Sequence, residues 1–174
     1  GGIAGWAANI TIENCYNTGN VSSETAGGIA GQSSSNITNC YNLGSIKGQN
    51  YAGGIVAYYK DATLSNCFNR GAVSGDYRVG GLAGSVPIPA TVKNCYNAGK
   101  VNEGQEYFIG DGQFTAAHNA YMEGTILKHV GGIFSDHAGI SQAENAAEIL
   151  AIVSADTEDI WITPPTSYAN GGVF

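Results

Sequence analysis

The chain of 174 residues is long enough for one domain with a sizeable interior, and its seven Lys and Arg against fourteen Asp and Glu leave a net charge of −7. Cations this few and this scattered form no patch that could neutralise phosphates, so nucleic acid is excluded as a partner. Charged residues make up 12% against roughly 25% in typical soluble domains, and no run of ~18 apolar residues offers a membrane-spanning helix.

The chain opens on Gly1-Gly2-Ile3-Ala4-Gly5, and this phrase returns as Gly27-Gly28-Ile29, Gly53-Gly54-Ile55, Gly80-Gly81-Leu82 and Gly131-Gly132-Ile133. Because the chain begins inside the repeat and carries no signal peptide, it reads as part of a longer polypeptide with targeting and anchoring signals N-terminal to Gly1. Between these phrases lies a second one. It reads Asn14-Cys15-Tyr16-Asn17-Thr18-Gly19, Asn39-Cys40-Tyr41-Asn42-Leu43-Gly44, Asn66-Cys67-Phe68-Asn69-Arg70-Gly71 and Asn94-Cys95-Tyr96-Asn97-Ala98-Gly99. A degenerate fifth copy, Asn119-Ala120-Tyr121-Met122-Glu123-Gly124, puts Ala120 where cysteine stood.

Apolar residues keep step with the cysteines. Ile12, Ile37, Leu64 and Val92 precede them by three positions, and Val21, Ile46, Val73 and Val101 follow by six. Short β-branched runs broken by Gly, Asn and Ser predict about three strands per repeat rather than a helix. The predicted fold is all-β: a parallel β-helix of about five coils, near 1–26, 27–52, 53–79, 80–106 and 107–130, with a sixth starting before residue 134. Coils ~4.8 Å apart would stack equivalent side chains into columns. Asn14, Asn39, Asn66 and Asn94 would then form an amide ladder, and the recurrent glycines would supply positive φ at sharp turns.

The four cysteines, Cys15, Cys40, Cys67 and Cys95, are spaced by 25, 27 and 28 residues. Such spacing fits no compact zinc site, so no metal is expected. Parallel Cβ vectors favour a buried free-thiol ladder over disulfides. Tyr16, Tyr41, Phe68, Tyr96 and Tyr121 form one predicted aromatic column, either stacked along the wall or open as a sugar-binding strip. The aromatic residues outside the repeat, Trp6, Tyr51, Tyr58, Tyr59 and Tyr77, make a candidate ligand patch, because departures from a repeat are where a binding face is written. The third coil departs most, with Ile55-Val56-Ala57-Tyr58-Tyr59 replacing a glycine.

Other chemistry is harder to assemble from the sequence. The acids Glu13, Glu24, Asp61, Asp76, Glu103, Glu106 and Asp111 share no column that would pair carboxylates for glycoside cleavage. His118, His129 and His137 fall late in the chain without a metal-binding pattern, and no regular column of Thr is visible. No cofactor is implied, and the chain is read as non-catalytic. Past the repeats, residues 135–174 form a predicted cap. Ser141-Gln142-Ala143-Glu144 has the form of a capping box, and a helix near 141–153 is expected to close the open end of the stack. Trp161 and Gly171-Gly172-Val173-Phe174 are expected beside it, joined by the Pro164-Pro165 turn.

Taken over residues 1–126, the Gly-Gly-Ile-Ala-Gly and Asn-Cys-Tyr-Asn-x-Gly-x-Val phrases resemble the GLUG motif. This repeat occurs in bacterial surface and secreted proteins, including some immunoglobulin-A-cleaving metallopeptidases, outside their catalytic domains. The resemblance implies a parallel β-helix at the cell surface or outside the cell, acting as adhesive module or stalk, with a host or environmental glycan or protein as partner. It carries no catalytic residues over to this chain. A fragment of a carbohydrate-active β-helix is the alternative.

Overall fold

The computed structural model describes residues 1–102, 107–122, 128–130 and 139–153. Three parallel sheets, each a wall of one solenoid, make up almost all of it. A coil begins with a long strand on the first wall, turns at an Asn-Cys corner into a two-residue strand on the second, and returns along the third. The first wall stacks Ala4–Glu13, Ala30–Thr38, Val56–Lys60 with Thr63–Ser65, Ala83–Lys93, Tyr107–Ile109 with Gly112–Ala117, and Lys128–Val130. On the second wall stand Tyr16–Asn17, Tyr41–Asn42, Phe68–Asn69, Tyr96–Asn97, Asn119–Met122 and Ile140–Ala143. The third wall holds Val21–Gly27, Ile46–Gly53, Val73–Gly75 and Arg78–Gly80, extended by a bridge from Val73 to Val101. Four coils thus carry all three walls among the described residues, and the first two walls continue above them.

Register converts the sequence period into columns. Ile12 pairs with Ile37, Ile37 with Leu64, and Leu64 with Val92, while Val21 and Val73 both flank Ile46. Ile37, Leu64 and Val92 are fully buried, as are Ile29, Ile55, Leu82 and Phe108 at the glycine corner. A buried Ile or Leu contributes about 1.5–3 kcal/mol, and each finds its contacts mainly in the coil above and below. Ile3 and Tyr16, at the end of the described stack, are 49% and 56% exposed.

The Asn corner explains one half of the repeat phrase. Asn14, Asn39, Asn66 and Asn94 all take left-handed backbone, with φ of 54°, 54°, 52° and 53°, which Asn tolerates better than other side chains. Their amides also form the expected ladder. Each Nδ2 donates downward, from Asn39 to Asn14 at 3.3 Å, Asn66 to Asn39 at 3.1 Å and Asn94 to Asn66 at 3.2 Å.

The glycine corner works differently from the expectation. Among the described glycines only Gly112 and Gly139 have φ in the left-handed range, so the Gly-Gly pairs are not there for positive φ. They are there for close approach. A second ladder runs through Asn17, Asn42, Asn69 and Asn97, with Nδ2 donating upward to the next Oδ1 at 2.7, 2.8 and 2.8 Å. Its side chains press on the glycine corner. A Cβ at Gly28, Gly54 or Gly81 would lie 2.5, 2.3 or 2.5 Å from the Cγ of Asn42, Asn69 or Asn97.

The fifth coil corrects two sequence readings. Lys93 pairs with Ala117, so His118, with φ of 50°, occupies the corner position of Asn94. Tyr96 then pairs with Ala120 and Asn97 with Tyr121. Ala120 is therefore not in the cysteine column, and Tyr121 is not in the aromatic column but in the interior cluster. Asn119 follows the corner as the cysteines do.

The cap is also shifted. Ile140–Ala143 is a strand paired with Asn119–Met122, so Ser141 starts no helix. The helix α1 spans Ala146–Val153, and the capping box is the next one along. Glu148 N donates to Asn145 Oδ1 at 3.1 Å, and Glu148 Oε2 accepts from Glu144 N at 2.9 Å. Rather than lying over the interior, α1 sets Ile149 and Val153 into a separate apolar cluster with Tyr96, Ala120 and Ala143. Trp161, the Pro164-Pro165 turn and the C-terminal Gly-Gly-Val-Phe lie outside the described residues, as do His137, Glu103 and Glu106.

Candidate functional site

The cysteine column stays within the core. All four thiols are free, with Cys40, Cys67 and Cys95 buried and Cys15 half-buried. Each Sγ donates to the carbonyl two residues earlier, as in Cys67 to Ser65 O at 3.1 Å. The three upper ones also face a carbonyl of the coil below at 3.6–3.7 Å. Burial pushes the Cys67 thiol well above the ordinary range, and its hydrogen bond with Cys67 together with burial does the same for Cys40. Asn119 ends the column. Its Nδ2 donates to Val92 O at 2.8 Å and its Oδ1 accepts from Cys95 N at 3.0 Å. Cys40, Cys67 and Cys95 are enclosed and hydrogen-bonded, which is the chemistry of packing rather than of a nucleophile.

The aromatic column is a stack, not an open strip. Tyr16, Tyr41, Phe68 and Tyr96 succeed one another at 5.2, 4.8 and 4.9 Å with nearly parallel planes. Tyr41, Phe68 and Tyr96 are buried.

The non-repeating aromatics divide. Tyr59 is fully buried, and its hydroxyl donates to Ser35 O at 3.2 Å, so it belongs to the core and presents nothing to a ligand. Trp6 is 70% exposed. It pairs with Gln32, and Gln32 with Tyr58, which sets Trp6 two coils, or about 10 Å, from the rest. The structure brings Tyr51, Tyr58 and Tyr77 together where the third wall turns into the first. Tyr51 and Tyr58 meet edge to face at 5.6 Å.

Arg78 organises this corner. It pairs with Tyr51 across two coils of the third wall, and its Nη1 donates to the Tyr51 hydroxyl at 3.2 Å. Its Cζ sits 5.0 Å from the Tyr77 ring centroid and 5.6 Å from that of Tyr51, within cation–π range. Nε donates to Asp111 Oδ2 at 2.9 Å, with the two side chains 31% and 38% exposed. Tyr77 lies against the Arg78 guanidinium while remaining 63% exposed itself. Ser85, paired with Tyr58 one coil below, is 1% exposed and its Oγ has no hydrogen-bond partner among the described residues. Arg78 and Asp111 stand a whole coil apart in sequence, and only stacking makes them neighbours.

Farther along the first wall, the coil-four strand Ala83–Lys93 bulges against both neighbours, its register slipping between Ser85 and Ile88 against coil three and between Val86 and Ala90 against coil five. In coil three, Asp61 adopts φ of 49° between the two strand segments. Beside these irregularities lies a groove of about 430 Å³ whose lining includes Asn36, Asp61, Thr63, Pro89, Thr91 and Thr115. The first wall does carry a short polar file here, in which Asn36 interrupts the threonines rather than leaving a regular Thr column. Thr11 pairs with Asn36, Thr63 with Thr91 and Thr91 with Thr115, and Asn36 Oδ1 accepts from Thr63 N at 3.0 Å. Bulges of unequal length hide this file from a fixed-period reading. Among the described residues no three His, Cys, Asp or Glu converge as metal ligands would.

Residues 1–22, most of the first coil, match the model of the GLUG motif. The chain is similar in fold to a crystal structure of a candidate immunoglobulin A1 protease from Bacteroides ovatus, with a TM-score of 0.62 and 25% identity over 88% of this chain. The chain spans 58% of that protein's length. No curated protein matches it.

Proposed function

We propose that this chain is a repeat segment of a bacterial cell-surface or secreted protein and acts there, without catalysis of its own, as an adhesive binding module for a glycan or protein. The GLUG motif in the first coil and the similarity to a β-helix of a bacterial protein support the setting. The observation that carries the binding role is the corner at Tyr51, Tyr58, Tyr77, Arg78 and Asp111. The repeat dictates none of these residues, and three rings around an ion pair, one ring 63% exposed, exceed what a spacer needs. Aromatic and Arg side chains held by their neighbours lose little entropy when a ligand arrives.

The test is a binding screen of the purified chain against a glycan array and a panel of extracellular glycoproteins, with turnover measured on every hit. Saturable binding that Tyr77→Ala abolishes supports the reading. Depolymerisation or proteolysis of a hit would overturn the non-catalytic assignment, and absence of any binding would reduce the chain to a stalk.

A further inference from the structure

We propose that the first wall of coils three and four is a track for a neutral oligosaccharide, holding one sugar ring at the tyrosine corner and another in the Asp61 groove. The proposal rests on the binding-module reading and names the ligand class of that site. A pyranose offers a flat face of C–H groups and a rim of hydroxyls. The corner matches both: the exposed Tyr77 ring supplies the flat apolar surface, and the partly exposed Arg78 and Asp111 supply a donor and an acceptor side by side. Because those two charges neutralise each other at 2.9 Å, the corner favours no ionic ligand. The unpaired Ser85 hydroxyl, one coil above Tyr58, adds a polar group still in need of a partner.

The groove repeats this chemistry in different residues. Asp61 accepts, Thr63, Thr91 and Thr115 donate or accept, and Pro89 supplies an apolar edge, in a volume of about 430 Å³ that lies within the usual range of small-ligand sites, roughly 300–1,000 Å³. Tyr58 and Thr63 are five residues apart on the same wall, so the two ends are separated by at most about 17 Å. Ile88, 45% exposed and paired with Lys60, lies between them as an apolar step. Insertions that break the repeat in both coils have therefore built polar and apolar surface along one line. A short oligosaccharide spans that line, whereas a single sugar reaches one end.

The experiment is calorimetric titration of the intact chain with a neutral glycan from the array, supplied as a length series from monosaccharide to hexasaccharide. Affinity is expected to rise about tenfold or more between the shortest and longest ligands. Tyr77→Ala should weaken every member of the series. Thr91→Val and Asp61→Asn, which keep shape and the left-handed backbone, should weaken only the longer ones. Length-independent affinity, or long ligands indifferent to the groove variants, would overturn the track. Preference for sulfated or uronic-acid glycans would overturn the neutral class. Binding of proteins but no glycan would overturn this proposal while leaving the binding module standing, and binding of nothing would overturn both.

Discussion

Buried thiols make the stability of this stack depend on alkaline pH, and the sign follows from where the protons sit. An unfolded cysteine ionises near ~8.5, whereas Cys40 and Cys67 hold their protons well above that, and burial raises Tyr59 likewise. The folded state therefore binds more protons at high pH. Stability is complete below about pH 8 and falls as pH rises, by up to ~1.4 kcal/mol per unit for each such group. Thermal melts at pH 7 and pH 10 check this, and a pH-independent melting temperature would refute it. Thiol labelling gives a second readout: Cys15, half-buried by contrast with its buried successors, should react in the native state, the other three only after unfolding. Asn119→Ala should cost about 2–4 kcal/mol, because it strands Val92 O and Cys95 N without partners. Cys67→Ala should cost only about 1–2 kcal/mol for lost packing.

At the scale of elements, the Gly-Gly corner and the buried Asn ladder are one device. Gly54→Ala drives a Cβ to 2.3 Å from Asn69 Cγ and 2.1 Å from Gly81 O, so it should destabilise by about 3 kcal/mol. Adding Asn69→Ala relieves only the first clash and should not restore the melting temperature. Asn145→Ala, at the start of α1, should cost about 1 kcal/mol in the same assay. The parallel β-helix, its apolar columns and the Asn14 to Asn94 ladder were legible in the sequence, because every coil offers the same environment to the same position. What escaped was whatever depends on the neighbouring coil. Gly28 and Gly54 belong to successive coils, and the approach of Gly54 O to within 2.2 Å of where a Gly28 Cβ would sit appears only once coils stack. The fifth copy was misaligned by one residue because its Asn119 and Tyr121 imitate the repeat while pairing fixes Lys93 to Ala117. Capping chemistry at Ser141 was overridden by strand pairing, and the same chemistry succeeded at Asn145. Of the candidate patch, Tyr51, Tyr58 and Tyr77 do converge, while Trp6 and Tyr59 could not be sorted from them without knowing which side of a strand each faces.

For the whole molecule, nearly every wall bond joins residues one coil apart, so each coil is held by its neighbours rather than by itself. Hydrogen exchange should be slowest in coils two to four and fastest in the first, where Ile3 and Tyr16 lie open; uniform protection would contradict a nearest-neighbour stack. Such a stack must also remain electrically tolerable as it lengthens. Each Asn ladder is a file of aligned amide dipoles, and a single file would build opposite partial charges at its two ends, as a helix does. Here the corner file donates downward and the buried file donates upward. Their fields oppose one another along the axis, so coils can be added without accumulating polarity at either face of the solenoid.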